Sequence, residues 1–136
     1  AFGSISWSRH SFQSRLCMFN CLIMPILLYN CGLWTLSKLL NDKLDKWQRR
    51  KLRVLLQIVY PQRITNNNLY TETKQSPVSA TCRRRRLLWF GHVVREGPES
   101  ASFQALELSI NTNDIKKTRG RPPLRWIDTI RHDLKA

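Results

Sequence analysis

Acidic residues are scarce in this chain. Nine Asp and Glu stand against 23 Lys and Arg in 136 residues, a formal net charge of +14. The few carboxylates are scattered, so the chain lacks the close pair that holds two metal ions for polymerisation or nuclease chemistry. It also lacks a Gly-rich phosphate loop and any Ser/His/Asp spacing. Alternation with period two is rare, which argues against a sheet. No charge occurs between Arg15 and Lys38, a stretch long enough to span a membrane. That stretch nevertheless holds Asn20, Pro25, Asn30 and Gly32, and its polar groups would need partners in lipid. It reads better as buried helical segments bent near Pro25. The chain opens on Ala1 with no signal-peptide pattern, so the expectation is an intracellular piece of something longer, without a secretory leader.

What is present has the period of helices. Apolar residues at 42% are enough for a core. Residues 11–36 are expected to be helical, with Ser11 as a cap. Residues 38–59 form the clearest helix. On it Leu40, Leu44, Trp47, Val54, Leu55 and Ile58 share one sector, with Lys46, Arg49, Arg50 and Arg53 nearly opposite. Asp42 and Asp45 lie in its first turns, each with a basic residue at i+4. Pro61 should end it. Residues 60–78 read as a polar connector with one turn at Leu69-Tyr70. Helices are expected over 78–95, ended by Gly97-Pro98, and over 99–110, with an exposed loop at 111–121. Pro122-Pro123 should open a last helix carrying Leu124, Trp126, Ile127, Ile130 and Leu134 on its apolar side. The sum is an all-α chain of about five helices.

Cys17 and Cys21 sit at a C-x3-C spacing. A zinc site would need Cys31 and a histidine as well, and small apolar side chains of a core helix explain the pair more simply. The thiols suit a reducing compartment. His92 has no obvious carboxylate or nucleophile and reads as packed beside Trp89, while Gly91 would let another helix approach closely.

The basic excess concentrates between residues 38 and 97. Residues 83–95 and 119–126 weave Arg through Trp and Phe, a combination suited to a polyanion carrying flat bases. A solvated helix face is the alternative for the stripe at 46–53. In the run Arg83 to Arg86, successive side chains fan over about 300° of a helix. Arg84 and Arg85 project outward, whereas Arg83 and Arg86 point at the apolar sector, so they must snorkel or the helix must begin after them. Lys116 to Pro122 resembles an AT-hook, whose Arg-Gly-Arg-Pro core enters a narrow A·T minor groove. A loop leading into the last helix explains the same residues equally well. A freestanding DNA-binding module built on this loop, or a structural helical domain that binds protein, are the rival functions.

Five phrases in order resemble one family. They are Leu27-Leu28-Tyr29 with Trp34-Thr35-Leu36; Trp47-Gln48-Arg49-Arg50-Lys51-Leu52-Arg53; Arg63-Ile64-Thr65-Asn66-Asn67 with Leu69-Tyr70; Arg85-Arg86-Leu87 with Trp89-Phe90-Gly91-His92-Val93 and Arg95; and Gly120-Arg121-Pro122 with Arg125-Trp126, Asp128 and Asp133-Leu134. They are similar to the C-terminal part of non-LTR (LINE-type) retrotransposon reverse transcriptases. The family usually has Gly and Glu where Asn30 and Gly32 stand here. The resemblance implies a thumb-like helical region over residues 1–60 and a basic post-polymerase connector over 61–136. It implies binding to an RNA/DNA template–primer duplex rather than catalysis. The catalytic Tyr-x-Asp-Asp motif, its Mg²⁺ ions and the polymerase palm would belong to the rest of a parent whose ribonucleoprotein is nuclear. This chain would need no cofactor and no membrane. The candidate nucleic-acid-binding residues are Lys46, Arg49, Arg50, Arg53, Arg84, Arg85, Arg119 and Arg121.

Overall fold

Helix is the regular structure of the described residues, 10–111 and 124–135, in a computed structural model of the chain, and no strand occurs among them. The expected all-α class is found. The order is α1 (Phe12–Met18), a π-helical turn (Phe19–Ile23), α2 (Met24–Leu27), a 3-10 turn (Cys31–Leu33), α3 (Lys38–Leu55), α4 (Asn66–Thr73), α5 (Val78–Glu96), α6 (Ala101–Asn111) and α7 (Trp126–Lys135).

Local chemistry sets most boundaries. Ser11 is extended and its Oγ accepts from the Ser14 amide at 3.2 Å, so it caps α1 as expected. The expected bend takes the form of the π turn, in which the Met24 amide donates to the Phe19 carbonyl. Pro25 then sits in the first turn of α2, where its missing N–H costs nothing. Helix stops at Leu27 rather than running to residue 36. Asn30 takes a left-handed conformation, φ 53°, and starts the 3-10 turn. Asn is among the few residues that tolerate this region without glycine.

α3 ends before Pro61. The Ile58 amide donates to the Arg53 carbonyl and the Gln57 amide to Val54, with Gln57 at φ 57°. This is a Schellman closure with Gln in place of the usual Gly. The connector expected over 60–78 instead contains α4. Thr65 caps it by accepting from the Asn68 amide at 3.3 Å, and Leu69 is fully buried beneath it. Gly97, at φ 82°, follows the last residue of α5 as the Gly-Pro signal implied.

The described residues group into two units. The first holds those up to Tyr29 with Asn41–Ser79; the second holds Asn30–Leu40 with those from Ala80 on. A division at 60/61 therefore falls inside the first unit. Leu16, Phe19, Leu52, Leu55 and Leu69 make the first core, flanked by Trp47, Ile64 and Tyr70. Each fully buried Leu contributes about 1.5–3 kcal/mol there. Val93, Leu106, Ile127 and Ile130 make the second, flanked by Phe90, Phe103, Ile110 and Trp126.

The buried face of α3 is Gln48, Leu52 and Leu55, about a quarter-turn from the sector read off hydrophobicity. Leu40 and Val54, expected inside, are exposed. Gln48 goes in because its polar atoms are used. Its Nε2 donates to the Ser76 carbonyl at 2.9 Å, and its Oε1 accepts from the Val78 amide at 3.1 Å. Asp45 does not serve Arg49 at i+4. Its carboxylate accepts from the Ser79 amide at 2.9 Å and the Ser79 hydroxyl at 2.6 Å, capping the start of α5. α7 likewise turns Ile127, Ile130 and Asp133 inward and leaves Leu124 and Leu134 exposed.

The cysteines separate into two kinds. Cys17 and Cys21 are exposed, not packed as expected, with Sγ atoms 3.9 Å apart. The hydrogen bond with Cys17 pushes the Cys21 thiol up from its ordinary value. Cys31 and Cys82 are fully buried in the second unit. Burial first, then the charge and hydrogen bond of Cys31, push Cys82 up to about 12, although Arg86 and Arg85 act in the opposite sense. At pH 8 a thiol reagent should therefore modify Cys17 and Cys21 in the folded chain, and Cys31 and Cys82 only after unfolding. Fast reaction of all four would contradict this. Because the folded value of Cys82 is raised, its contribution to stability is intact below the ordinary value of 9.0 and is lost as pH rises towards about 12. No group of three or more His, Cys, Asp and Glu that could hold a metal ion occurs among the described residues.

Candidate nucleic-acid interface

In the first unit the basic stripe lies on α3, but its members are not equivalent. Lys46 and Arg50 are exposed, while Arg49 and Arg53 are half-buried at the flank. Arg53 is committed to the fold: its Nη2 donates to Asn66 Oδ1 at 2.8 Å and reaches the Ile64 carbonyl at 3.5 Å. Lys43, also exposed, joins Lys46 and Arg50 at i, i+3 and i+7. Sequence reasoning missed Lys43 because it placed the buried sector a quarter-turn away. Had Gln48 been counted as core, the same periodicity would have included it.

From Ala80 on α5 belongs to the second unit, where it buries Cys82, Arg86 and Val93 along one side. Arg84 and Arg85 are exposed, as the helical fan required. Arg83 and Arg86 do point inward, yet Arg86 does not snorkel. It is 2% exposed and bound to Asp133, with Nε–Oδ2 at 2.7 Å and Nη2–Oδ2 at 2.6 Å. Its Nη1 donates to the Trp34 carbonyl at 3.0 Å. Arg83 donates to the Asp133 main-chain carbonyl. Half of the four-Arg run is thus structural. Arg119 and Arg121, with the whole hook-like loop, lie outside the described residues.

His92 does have a carboxylate: Glu96 Oε1 is 3.0 Å from its Nε2. Its ring also tilts against Trp89, centroids 5.2 Å apart. A Cβ at Gly91 would meet the Arg95 guanidinium at 3.2 Å, so the space there is taken by a side chain of the same helix. The close approach is at Gly32 instead, where a Cβ would lie 3.3 Å from the Arg85 carbonyl and 3.5 Å from Trp89 Cβ. The Gly32 carbonyl accepts from the Trp126 indole at 2.9 Å. A Glu at this position would have to push α5 away.

Charge is balanced unevenly. In the second unit Asp133 pairs with Arg83 and Arg86, Asp128 pairs with Arg125 and Arg131, and Glu96 contacts His92. On α3, Lys43, Lys46 and Arg50 face solvent with no carboxylate partner among the described residues. Exposed cations of one sign, spaced along one face of a rigid helix, attract a polyanion and can be ordered by its phosphates.

Comparison with known proteins agrees on origin alone. The chain is 23% identical over 124 residues to a putative uncharacterized transposon-derived protein of Caenorhabditis elegans. The match takes in 88% of this chain but 44% of that protein, so the chain spans less than half the length of its relative. This similarity supports a transposon origin. No family model matches the chain, and no solved structure matches it. No described helix is long and apolar enough to cross a membrane.

Proposed function

We propose that this chain is the nucleic-acid-gripping part of a retrotransposon reverse transcriptase, holding a template–primer duplex by its phosphates. The observation that carries the reading is the face of α3, where Lys43, Lys46 and Arg50 stand exposed and without a carboxylate partner among the described residues. The five family-like phrases and the transposon-derived relative support it. A helix presenting phosphate-binding cations holds a duplex without reading its sequence. In this reading the catalytic carboxylates and their Mg²⁺ ions sit in the palm of the parent. The chain by itself binds and does not polymerise.

The test is the salt dependence of binding to a blunt duplex. Three phosphate contacts should give a slope of log K against log salt of about −2.7 on B-DNA, with little difference between sequences. A flat response, or no binding at low salt, would overturn the proposal. With primer–template and Mg²⁺ the same preparation should add no nucleotide.

A further inference from the structure

The second unit contains a cleft that the phosphate-gripping role leaves unused. It has a volume of about 540 Å³ and is bounded by Leu33, by Trp89 and Val93 of α5, by Leu106 and Ser109 of α6, and by Trp126 of α7. That size lies within the range of small-ligand sites. Its walls carry two indoles. Trp126 is held in orientation by its hydrogen bond to the Gly32 carbonyl. Trp89 is 38% exposed and backed by the tilted His92 ring. Ser109 donates its hydroxyl to the Leu106 carbonyl at 2.7 Å, leaving its oxygen able to accept. Arg125 stands at the rim, with its guanidinium on Asp128.

We propose that this cleft takes an unpaired nucleobase of a single-stranded segment, stacked on Trp89 and Trp126, with the Arg125 guanidinium at the rim beside the neighbouring phosphate. The inference rests on the nucleic-acid reading above and adds to it a second kind of contact. Flat apolar walls with few polar groups suit the face of any base, and a guanidinium at the rim suits its backbone. A duplex keeps its bases stacked inside and has none to offer. The cleft therefore favours a strand end or an unpaired overhang over a blunt duplex.

The test uses the full chain with two probes of equal charge, a blunt duplex and a single-stranded oligonucleotide carrying 5-iodouridine. Trp89→Ala should weaken the single strand about tenfold and change duplex binding little. Trp89→Phe, which keeps an aromatic face, should retain most of the affinity. Ala105 also lines the cleft, and Ala105→Leu narrows it without removing a stacking group. That variant should reproduce the selective loss if the base enters. Irradiation should cross-link the iodinated base to Trp89 or Trp126. Equal affinity changes for both probes, or cross-links confined to α3, would overturn the cleft while leaving the phosphate grip in place. So would concentration-dependent dimers abolished by Ala105→Leu, since the cleft would then hold a second copy. A wild-type chain that binds neither probe would overturn both proposals.

Discussion

Asp133→Ala should destabilise the second unit by about 3–5 kcal/mol, because it leaves the Arg86 guanidinium buried with its charge uncompensated. Arg86 sits in register with Val78, Cys82 and Val93 on the inward side of α5 and is 2% exposed. Two of its nitrogens contact Asp133 Oδ2, at 2.7 and 2.6 Å, and a third contacts the Trp34 carbonyl. The pair fastens the 3-10 segment and α7 to α5 within this unit. A loss of that size takes a large share of the 5–15 kcal/mol that holds a domain of ordinary stability. Urea unfolding followed by circular dichroism would measure it. The double change Arg86→Met with Asp133→Leu should cost much less than Asp133→Ala, since no charge is then left in the interior. A single-variant loss below about 1 kcal/mol would place the pair among weak surface bridges.

Reversing Lys46 and Arg50 together to Glu should lower duplex affinity by on the order of 100-fold or more at low salt. Each charge-assisted contact is worth about 1.5–3 kcal/mol, and two are removed. The slope of log K against log salt should flatten by about 1.8. Helicity should stay constant, because both residues are exposed and Glu is nearly as good a helix former as Lys and Arg. Arg53→Glu is a poorer probe. It also breaks the bond to Asn66, so its effect on affinity would be mixed with an effect on stability. If the double variant binds as the parent chain does, the α3 stripe is a solvated face and no more.

Helix content and position were legible in the residues wherever a local signal was strong. The Ser11 cap, the helix over 78–96 with its Gly97 stop and the α6 segment all follow from short-range chemistry. Only one turn of α4 was legible, at Leu69-Tyr70, since its eight residues are mostly polar and Leu69 is the one apolar side chain among them that is fully buried. Hydrophobicity also misjudged which way α3 and α7 turn. Both bury a polar side chain, Gln48 and Asp133, whose partners lie 22 residues or more away in the chain.

The cationic, all-helical character of this chain was set by its sequence alone. A surplus of Lys and Arg and a helical period need no neighbour to be read, because each is a property of composition or of the next few residues. Which cations face solvent was decided only by tertiary structure. Arg83, Arg84, Arg85 and Arg86 are identical side chains in an unbroken run, yet Arg86 is buried on Asp133 and Arg84 is exposed. The difference comes from a carboxylate 47 residues away. A buried charge is tolerated only where such a partner arrives, and where it arrives depends on how the helices pack.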